Sequence, residues 1–277
     1  KRFHNHLSFD RRWLDPQGSE DCHGRALWAL GVAAGRSPHR SFQVLAGQLF
    51  VQGLPVVTEF TSPRAWAFTL LGIHDYLRRM GGDRQVQQSR ESLTARLSEL
   101  LERSMRPDWP WFEEELTYDN AKLAHALILS GHAAAQPAVL ERGLNALRWL
   151  AEVQTSENGH FRPIGSNGFY RRDGARALFD QQPIEAQAMV SACLEAYRVT
   201  SDSFWYEQAH RAFDWFLGWN DLGLELYSPS TGGCRDALHV DRVNGNEGAE
   251  STLAFLLALT EMRIMQNAVA VFNEPVP

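Results

Sequence analysis

A recurring apolar segment limits the folds that this chain can adopt. Each copy begins with polar, helix-capping residues and continues as a run rich in alanine and leucine. In five such segments the apolar residues recur at helical spacing. Because the segments are apolar on almost every side, we expect inner helices that several neighbours contact. They are predicted at Asp21–Ala34, Ser62–Arg79, Thr117–Ala134, Gln182–Val199 and Asn246–Met262.

More amphipathic segments lie between the inner ones and carry charged residues among leucines and aromatic residues. The links are short, so each inner helix is expected to turn back along the outer helix that follows it. The predicted unit is therefore a helical hairpin. The outer helices are predicted at Arg40–Val51, Asp83–Ser104, Gln136–Gln154 and Ser203–Trp219.

Helical hairpins of this kind bury their inner faces only by stacking on neighbours, and five or six of them can curve until the first meets the last. The sequence therefore predicts an all-α fold, an (α/α)5–6 toroid, in a single domain that spans residues 1–277. An open solenoid is the alternative, but it favours more uniform repeats and polar end caps. Because the chain begins without methionine, we expect a piece of a longer chain or a processed protein.

Charge and composition exclude several classes of partner. The net charge is −6, and no Lys/Arg-rich run is present, which argues against a nucleic-acid surface. No apolar run reaches the length of about 18–20 residues that a membrane span needs. Three widely separated cysteines, Cys22, Cys193 and Cys234, indicate reduced thiols and a cytoplasmic protein. The sequence has no phosphate-binding glycine loop, so we expect no nucleotide cofactor.

Two long loops precede the fourth and fifth inner helices. Gly159–Tyr170 contains the pair Asn167-Gly168 between aromatic residues, which is typical of a β-hairpin. Leu224–Asp236 contains Pro229 and paired glycines, which indicate another. Connections of this length are usually functional. We therefore expect short β-hairpin insertions over the cleft side of the toroid.

In a toroid, the inner helices run in one direction, so the polar residues at their starts should converge on one cleft. Carboxylates and amides pair with sugar hydroxyls, and aromatic rings cover the apolar faces of sugars. No single acid is decisive, since a carboxylate in a first helical turn gains about 0.3–1 kcal/mol without any function. The densest group is Glu113–Asn120, which follows Trp109-Pro110-Trp111-Phe112.

The candidate residues fall into two classes by their chemistry. The candidate catalytic carboxylates are Asp119 and Glu185 first, followed by Asp21, Glu115, Glu247 and Glu250. The candidate substrate-binding residues are Trp109, Trp111, Tyr118, Asn120, Gln181, Gln182, His23, Arg25, Arg64, Tyr170, His239 and Asn246.

A metal site is the less favoured interpretation of Cys22-His23-Gly24. This tripeptide resembles one element of the zinc site in lanthionine-forming cyclases, which are also α/α toroids. That site needs a further cysteine ligand from a neighbouring inner helix, whereas Cys193 lies within a helix and Cys234 in a loop. We therefore expect no metal and no cofactor.

Four stretches carry a family resemblance: GRALWALG at 24–31, LTYDNAKL at 116–123, FDQQPIEA at 179–186 and NEGAEST at 246–252. They resemble the α-helical region of bacterial proteins related to, or fused behind, group 1 glycosyltransferases. That region is similar to the six-hairpin glycosidase-like superfamily. The resemblance implies an α/α toroid, a carbohydrate ligand and a glycosyltransferase domain as partner, in this chain or a neighbouring one.

Three functions remain open at this point. The first is a glycoside hydrolase-like enzyme, in which one carboxyl group protonates the leaving oxygen and another activates water or attacks the sugar. The second is a sugar epimerase or isomerase, for which His23 and His239 are the candidate pair. The third is a non-catalytic carbohydrate-binding domain that serves a glycosyltransferase.

Overall fold

The computed structural model describes residues 2–273 of the chain, with the side chains of residues 2–269. Within these residues the chain forms nine α-helices, and all nine were predicted. The largest difference lies in the last helix, which continues to Asn273 rather than ending at Met262. The helices are α1 (Glu20–Arg36), α2 (Arg40–Gly53), α3 (Pro63–Leu77), α4 (Arg84–Ser104), α5 (Ala121–Ala133), α6 (Pro137–Val153), α7 (Pro183–Thr200), α8 (Ser203–Asp214) and α9 (Ala249–Asn273).

Local signals explain where the inner helices begin. The Ser62 side chain accepts a hydrogen bond from the backbone N–H of Ala65 at 3.4 Å, and Pro63 takes the first position of α3. Pro183 takes the first position of α7 as Pro63 does in α3, but the Gln182 side chain makes no capping hydrogen bond. In α7, 13 of 18 residues are buried, which gives this helix the inner character predicted from its alanine-rich sequence.

The chain divides into two compact units. The first contains residues 2–103 and 126–143, and the second contains residues 104–125 and 144–273. A single domain over residues 1–277 stays a prediction.

In the first unit, α1 packs against α2 and α3. The backbones of α1 and α3 approach closely at Gly31 and Gly72, because a Cβ atom at Gly31 would lie 2.1 Å from the Gly72 carbonyl oxygen. A side chain at Gly31 would therefore push the two helices apart.

In the second unit, α7 packs against α8 and α9. A polar link joins α7 to α9, since Ser191 Oγ donates to Glu261 Oε2 at 2.6 Å. The rings of Trp205, Trp215 and Phe216 are buried to 2% exposure or less. The second unit is thus built around α7.

The two long loops differ in how far they match the predicted hairpins. Residues 227–234 form the expected hairpin, because Tyr227 and Cys234 are bridged and Gly232 takes a φ of +75° in the turn. In the other loop, Asn167-Gly168 lies in a turn, but the strand that follows, β2 (Tyr170–Arg171), pairs with β1 (Glu115–Leu116). The prediction of a hairpin within 159–170 is therefore wrong in its pairing. The actual partner strand lies about 55 residues upstream in the same unit, and a local turn signal does not reveal it.

The structure has Cys22, Cys193 and Cys234 as free cysteines. Burial raises the pKa of Cys234 to about 12. Across residues 2–273, no α-helix combines the length and apolar character that crossing a bilayer requires.

Candidate functional site

The first turn of α7 contacts the residues that lead into α5, and this contact involves both carboxylates favoured for catalysis. Glu185 Oε1 accepts a hydrogen bond from the backbone N–H of Asp119, and Glu185 Oε2 accepts one from Asn120 Nδ2 at 2.9 Å. Asp119 and Asn120 are 0% exposed, and Glu185 is 3% exposed. Residues that lie 66 positions apart in sequence thus become neighbours in the second unit.

A tight turn presents Asp119 at the start of α5. Asp119 has a φ of +52°, a left-handed conformation that aspartate and asparagine tolerate better than most residues. Asn120 closes the turn, because its Oδ1 accepts from Thr117 N at 3.0 Å and its Nδ2 donates to Thr117 O at 3.1 Å. Asn120 therefore links Thr117 to Glu185.

A charged cavity of about 530 Å³ lies over the β1–β2 sheet. Arg172 pairs with Glu114 at 3.0 Å and Arg171 with Glu115 at 3.6 Å. Thr117 also lines the cavity, so the Asn120 contact connects the cavity with Glu185. The lining consists of Glu113, Glu114, Glu115, Thr117, Arg171, Arg172, Asp173 and Gly174.

Two of the four aromatic residues predicted to bind a sugar lie in the core. Trp109 and Trp111 are 2% and 0% exposed. Their rings pack on Trp149 at centroid distances of 4.9 and 5.7 Å, and Trp109 also meets Tyr170 at 5.1 Å. The structure therefore places both predicted sugar-stacking indoles in the protein interior, where they contact other aromatic rings. Tyr118 and Tyr170 are half-buried.

The loops that precede α7 and α9 are joined by backbone pairing. Gln181 and Leu238 exchange two N–H···O hydrogen bonds, each of 2.9 Å. Directly beside this bridge, His239 Nδ1 contacts Asp180 Oδ1. The two side chains are 23% and 36% exposed. His239, a predicted binding residue, thus has a carboxylate partner that lies 59 residues away in sequence.

Asp221 is an anchoring residue that sequence reasoning missed. Its carboxylate is 9% exposed and accepts from His160 Nε2 at 3.0 Å, from Arg162 Nε at 2.8 Å and from Gln181 Nε2 at 2.6 Å. Burial raises the pKa of Asp221, but these hydrogen bonds outweigh burial and the net pKa is lowered. Gln181, a predicted binding residue, is 0% exposed and serves this network.

The remaining candidates of the second unit lie around the starts of α7 and α9. Gln182 is half-buried at the start of α7. Glu247 accepts from Thr231 Oγ1 at 2.7 Å and pairs with Arg235 at 3.2 Å, while Asn246 Nδ2 donates to Asp236. Glu250 is exposed in the first turn of α9. Glu247 and Asn246 therefore stabilise the loop that leads into α9.

Four candidates belong to the first unit. Asp21 and Arg25 form an ion pair of 2.8 Å on α1, and the Arg25 guanidinium lies 4.2 Å from the Phe68 ring centroid. His23 is 1% exposed, and both of its ring nitrogens have backbone partners, Phe3 N at 3.1 Å and Gly53 O at 2.9 Å. Burial lowers the pKa of His23. Arg64 is 5% exposed in α3.

The described residues do not offer a grouped set of metal ligands. Between residues 2 and 273, no three His, Cys, Asp or Glu side chains come together in a way that could hold a metal ion. Cys22 Sγ donates to His4 O at 3.6 Å, and the neighbouring His23 ring is engaged as described above. The cyclase-like tripeptide therefore contributes to packing at the start of α1.

Comparison with known proteins identifies the fold. A heparin-specific unsaturated glucuronyl hydrolase is similar to this chain with a TM-score of 0.61 and 11% identity, over 94% of this chain and 90% of the hydrolase. Cellobiose 2-epimerase from Spirochaeta thermophila gives a TM-score of 0.67 and 12% identity, over 97% and 76%. A GH76 α-mannanase from Bacteroides thetaiotaomicron gives 0.59 and 13%, over 92% and 71%. Neither a family model nor a curated protein sequence matches the chain.

The chain shares the α/α toroid fold of these proteins. This confirms the α/α toroid class that the repeated helical hairpins predicted. At identities of 11–13% a shared fold does not imply a shared reaction, because the reaction depends on the side chains of the site.

Proposed function

We propose that the protein is a carbohydrate-active enzyme of the glycoside hydrolase type, with Asp119 as its catalytic acid. The observation that carries this proposal is the contact between Glu185 and the turn that presents Asp119. Hydrolysis of a glycosidic bond needs one group that protonates the leaving oxygen and a second that activates water or attacks the sugar. We assign the first role to Asp119.

Glu185 is proposed to position Asp119. Both oxygens of Glu185 accept hydrogen bonds, one from the Asp119 N–H and one from Asn120. These two bonds hold Asp119 and Asn120 against the start of α7. Asp119 is thereby kept in its left-handed conformation at the start of α5.

The cavity over β1–β2 is proposed to bind the sugar. Its carboxylates can accept hydrogen bonds from sugar hydroxyls, and Arg171 and Arg172 can donate to them. Glu115, a predicted catalytic carboxylate, lines this cavity, which supports a role for Glu115 in the proposed site. Similar folds in a hydrolase and a mannanase support a carbohydrate ligand.

The proposal is tested by a glycan array followed by incubation of the bound glycans and mass spectrometry. Wild-type protein should cleave at least one of them, and Asp119→Asn should lower turnover at least about 100-fold. Asparagine has nearly the same shape and tolerates the left-handed conformation, so the turn should persist. The control is Asp108→Asn, at an exposed position, which should retain wild-type turnover. Equal turnover by D119N and wild type would remove Asp119 from the reaction.

A sugar epimerase or isomerase is the second candidate, and the contact between Asp180 and His239 favours it. It is also supported by the similar fold of cellobiose 2-epimerase. Such an enzyme exchanges a carbon-bound sugar proton with solvent. Incubation in D2O should then place deuterium on the sugar without cleavage, whereas a hydrolase should cleave and leave the carbon-bound protons in place.

A non-catalytic carbohydrate-binding domain is the third candidate. It would serve a glycosyltransferase domain in the same or a neighbouring chain, in a cytoplasmic setting. Glycan binding that persists in a D119N/E185Q double variant, with no product from either protein, would favour this function over the first two.

A further inference from the structure

We propose that His239, oriented by Asp180, is the general base that activates water in the hydrolysis proposed above. The inference rests on that proposed function and adds the second of the two groups that the reaction needs. It starts from the contact between His239 Nδ1 and Asp180 Oδ1 beside the Gln181–Leu238 bridge.

The partners of His239 fix which ring nitrogen can act. A carboxylate only accepts hydrogen bonds, so a neutral His239 carries its proton on Nδ1 and donates it to Asp180. The lone pair then lies on Nε2. The contact of Nε2 with Asn244 Nδ2 is long, at 3.4 Å, so a bound water molecule can replace it. Nε2 is therefore the proton-accepting atom.

Hydrogen bonds in the two loops hold Asp180 and His239 in place. Gln181, next to Asp180, accepts from Trp215 Nε1 at 2.7 Å and donates to Asp221 at 2.6 Å. On the other side, the backbone N–H of His239 donates to Arg242 O at 2.8 Å. Each member of the pair thus follows or precedes a residue fixed by several hydrogen bonds, and a catalytic group needs such fixed geometry.

Exposure separates His239 from two other histidines that have side-chain or backbone partners, His23 and His160. His23 and His160 are 1% and 5% exposed, and their contacts lie inside the protein. The His239 side chain is 23% exposed. Two apolar side chains close to the pair in sequence, Leu178 and Val240, are 44% and 67% exposed. They offer apolar surface for the C–H face of a sugar ring.

Water is the nucleophile in the proposed step. One O–H bond of water breaks and its proton moves to His239 Nε2, while the water oxygen forms a bond to the anomeric carbon. The glycosidic C–O bond breaks, and its electron pair goes to the leaving oxygen, which takes a proton from the Asp119 carboxylic acid. The imidazolium then loses its proton to solvent, and Asp119 regains one, so that both groups return to their starting states.

The test compares His239→Gln, His239→Ala and Asp180→Asn with wild-type protein on a glycan that the wild type cleaves. His239→Gln should lower kcat at least about 100-fold and Asp180→Asn at least about tenfold, with glycan affinity within about threefold of wild type. Azide attacks without losing a proton, so added azide should restore cleavage by His239→Ala and yield a glycosyl azide. His132→Gln, at an exposed position on α5, is the matched control and should keep wild-type kcat.

The outcomes separate this inference from the function on which it rests. Wild-type protein that cleaves no bound glycan would overturn both. A His239→Gln variant with kcat within about threefold of wild type would overturn the role of His239 alone. If His239→Ala still binds glycan but added azide does not restore cleavage, His239 is not the general base. The imidazole would then have a positioning role.

Discussion

Glu185 binds the backbone N–H of Asp119 with one carboxylate oxygen, and this contact ties the start of α5 to the start of α7. The first unit contains a similar device. Glu20 Oε2, at the start of α1, accepts from the backbone N–H groups of Thr61 and Ser62 at 2.8 Å each, directly before α3. In both units an acid in the first turn of one inner helix binds N–H groups that precede another. Such acids stabilise the fold whether or not they take part in chemistry.

Glu185→Gln should destabilise the second unit by about 1–3 kcal/mol. A glutamine amide presents one oxygen and one NH2 group, so it cannot accept from both Asp119 N and Asn120 Nδ2. Urea unfolding measures the loss, and hydrogen exchange should show faster exchange at residues 117–123. Glu207→Gln, on the exposed surface of α8, is the control and should change stability little. Unchanged exchange at the start of α5 would contradict the structural role of Glu185.

Asp221→Asn should lower the free energy of unfolding by about 3 kcal/mol at pH 7. The substitution removes a buried carboxylate that accepts hydrogen bonds from several donors. The pKa of Asp221 is lowered from 3.8 in the folded protein, so its contribution is present above the unfolded value and is lost as pH falls through the folded value. The difference between variant and wild type should therefore shrink below about pH 4. Denaturant unfolding at several pH values checks this, and a constant difference down to pH 2 would contradict it.

His23 should make the first unit sensitive to mild acid. Its pKa is lowered from 6.5 by burial, so the neutral ring favours the folded state and the contribution is lost as pH falls below 6.5. Thermal unfolding should show a drop in Tm between pH 7.5 and 5 for wild type. His23→Gln should flatten this slope, since glutamine has a donor and an acceptor but no titration in this range. His132→Gln should keep the wild-type slope, and a steep slope in H23Q would assign the effect to other groups.

Trp111→Ala should destabilise the protein by about 3–5 kcal/mol, as expected for the loss of a fully buried indole. Tyr170→Ala, at a half-buried ring that contacts Trp109, should cost less stability. Calorimetry and glycan binding on the same samples separate the two roles. If W111A kept its stability and lost only glycan affinity, Trp111 would be a sugar platform rather than a core residue.

The sequence predicted helices far better than it predicted contacts. Ser62-Pro63 and Gln182-Pro183 mark helix starts because capping and proline geometry act within a few residues. The burial of Trp111 depends on Trp149, and the strand partner of Tyr170 is Leu116, so no local pattern contains that information. The role of Asp221 is not evident from the sequence for the same reason, because its hydrogen-bond partners lie 40–61 residues away.

The candidate site was predicted in part. Asp119 and Glu185 were chosen because each lies at the start of an inner helix, and the structure brings them together through a direct hydrogen bond. The pair formed by Asp180 and His239 depends on the bridge between Gln181 and Leu238, which joins two irregular loops. Loop pairing of this kind follows from tertiary packing rather than from periodicity.

Cleavage of an array-selected glycan in H2 18O, followed by mass spectrometry of the products, shows directly whether the protein is a hydrolase that depends on Asp119. A hydrolase that uses Asp119 should release two fragments, with one 18O atom on the anomeric carbon of the new reducing end. The D119N variant should release both fragments much more slowly. Intact glycan without label, or a sugar changed only in configuration, would contradict the account.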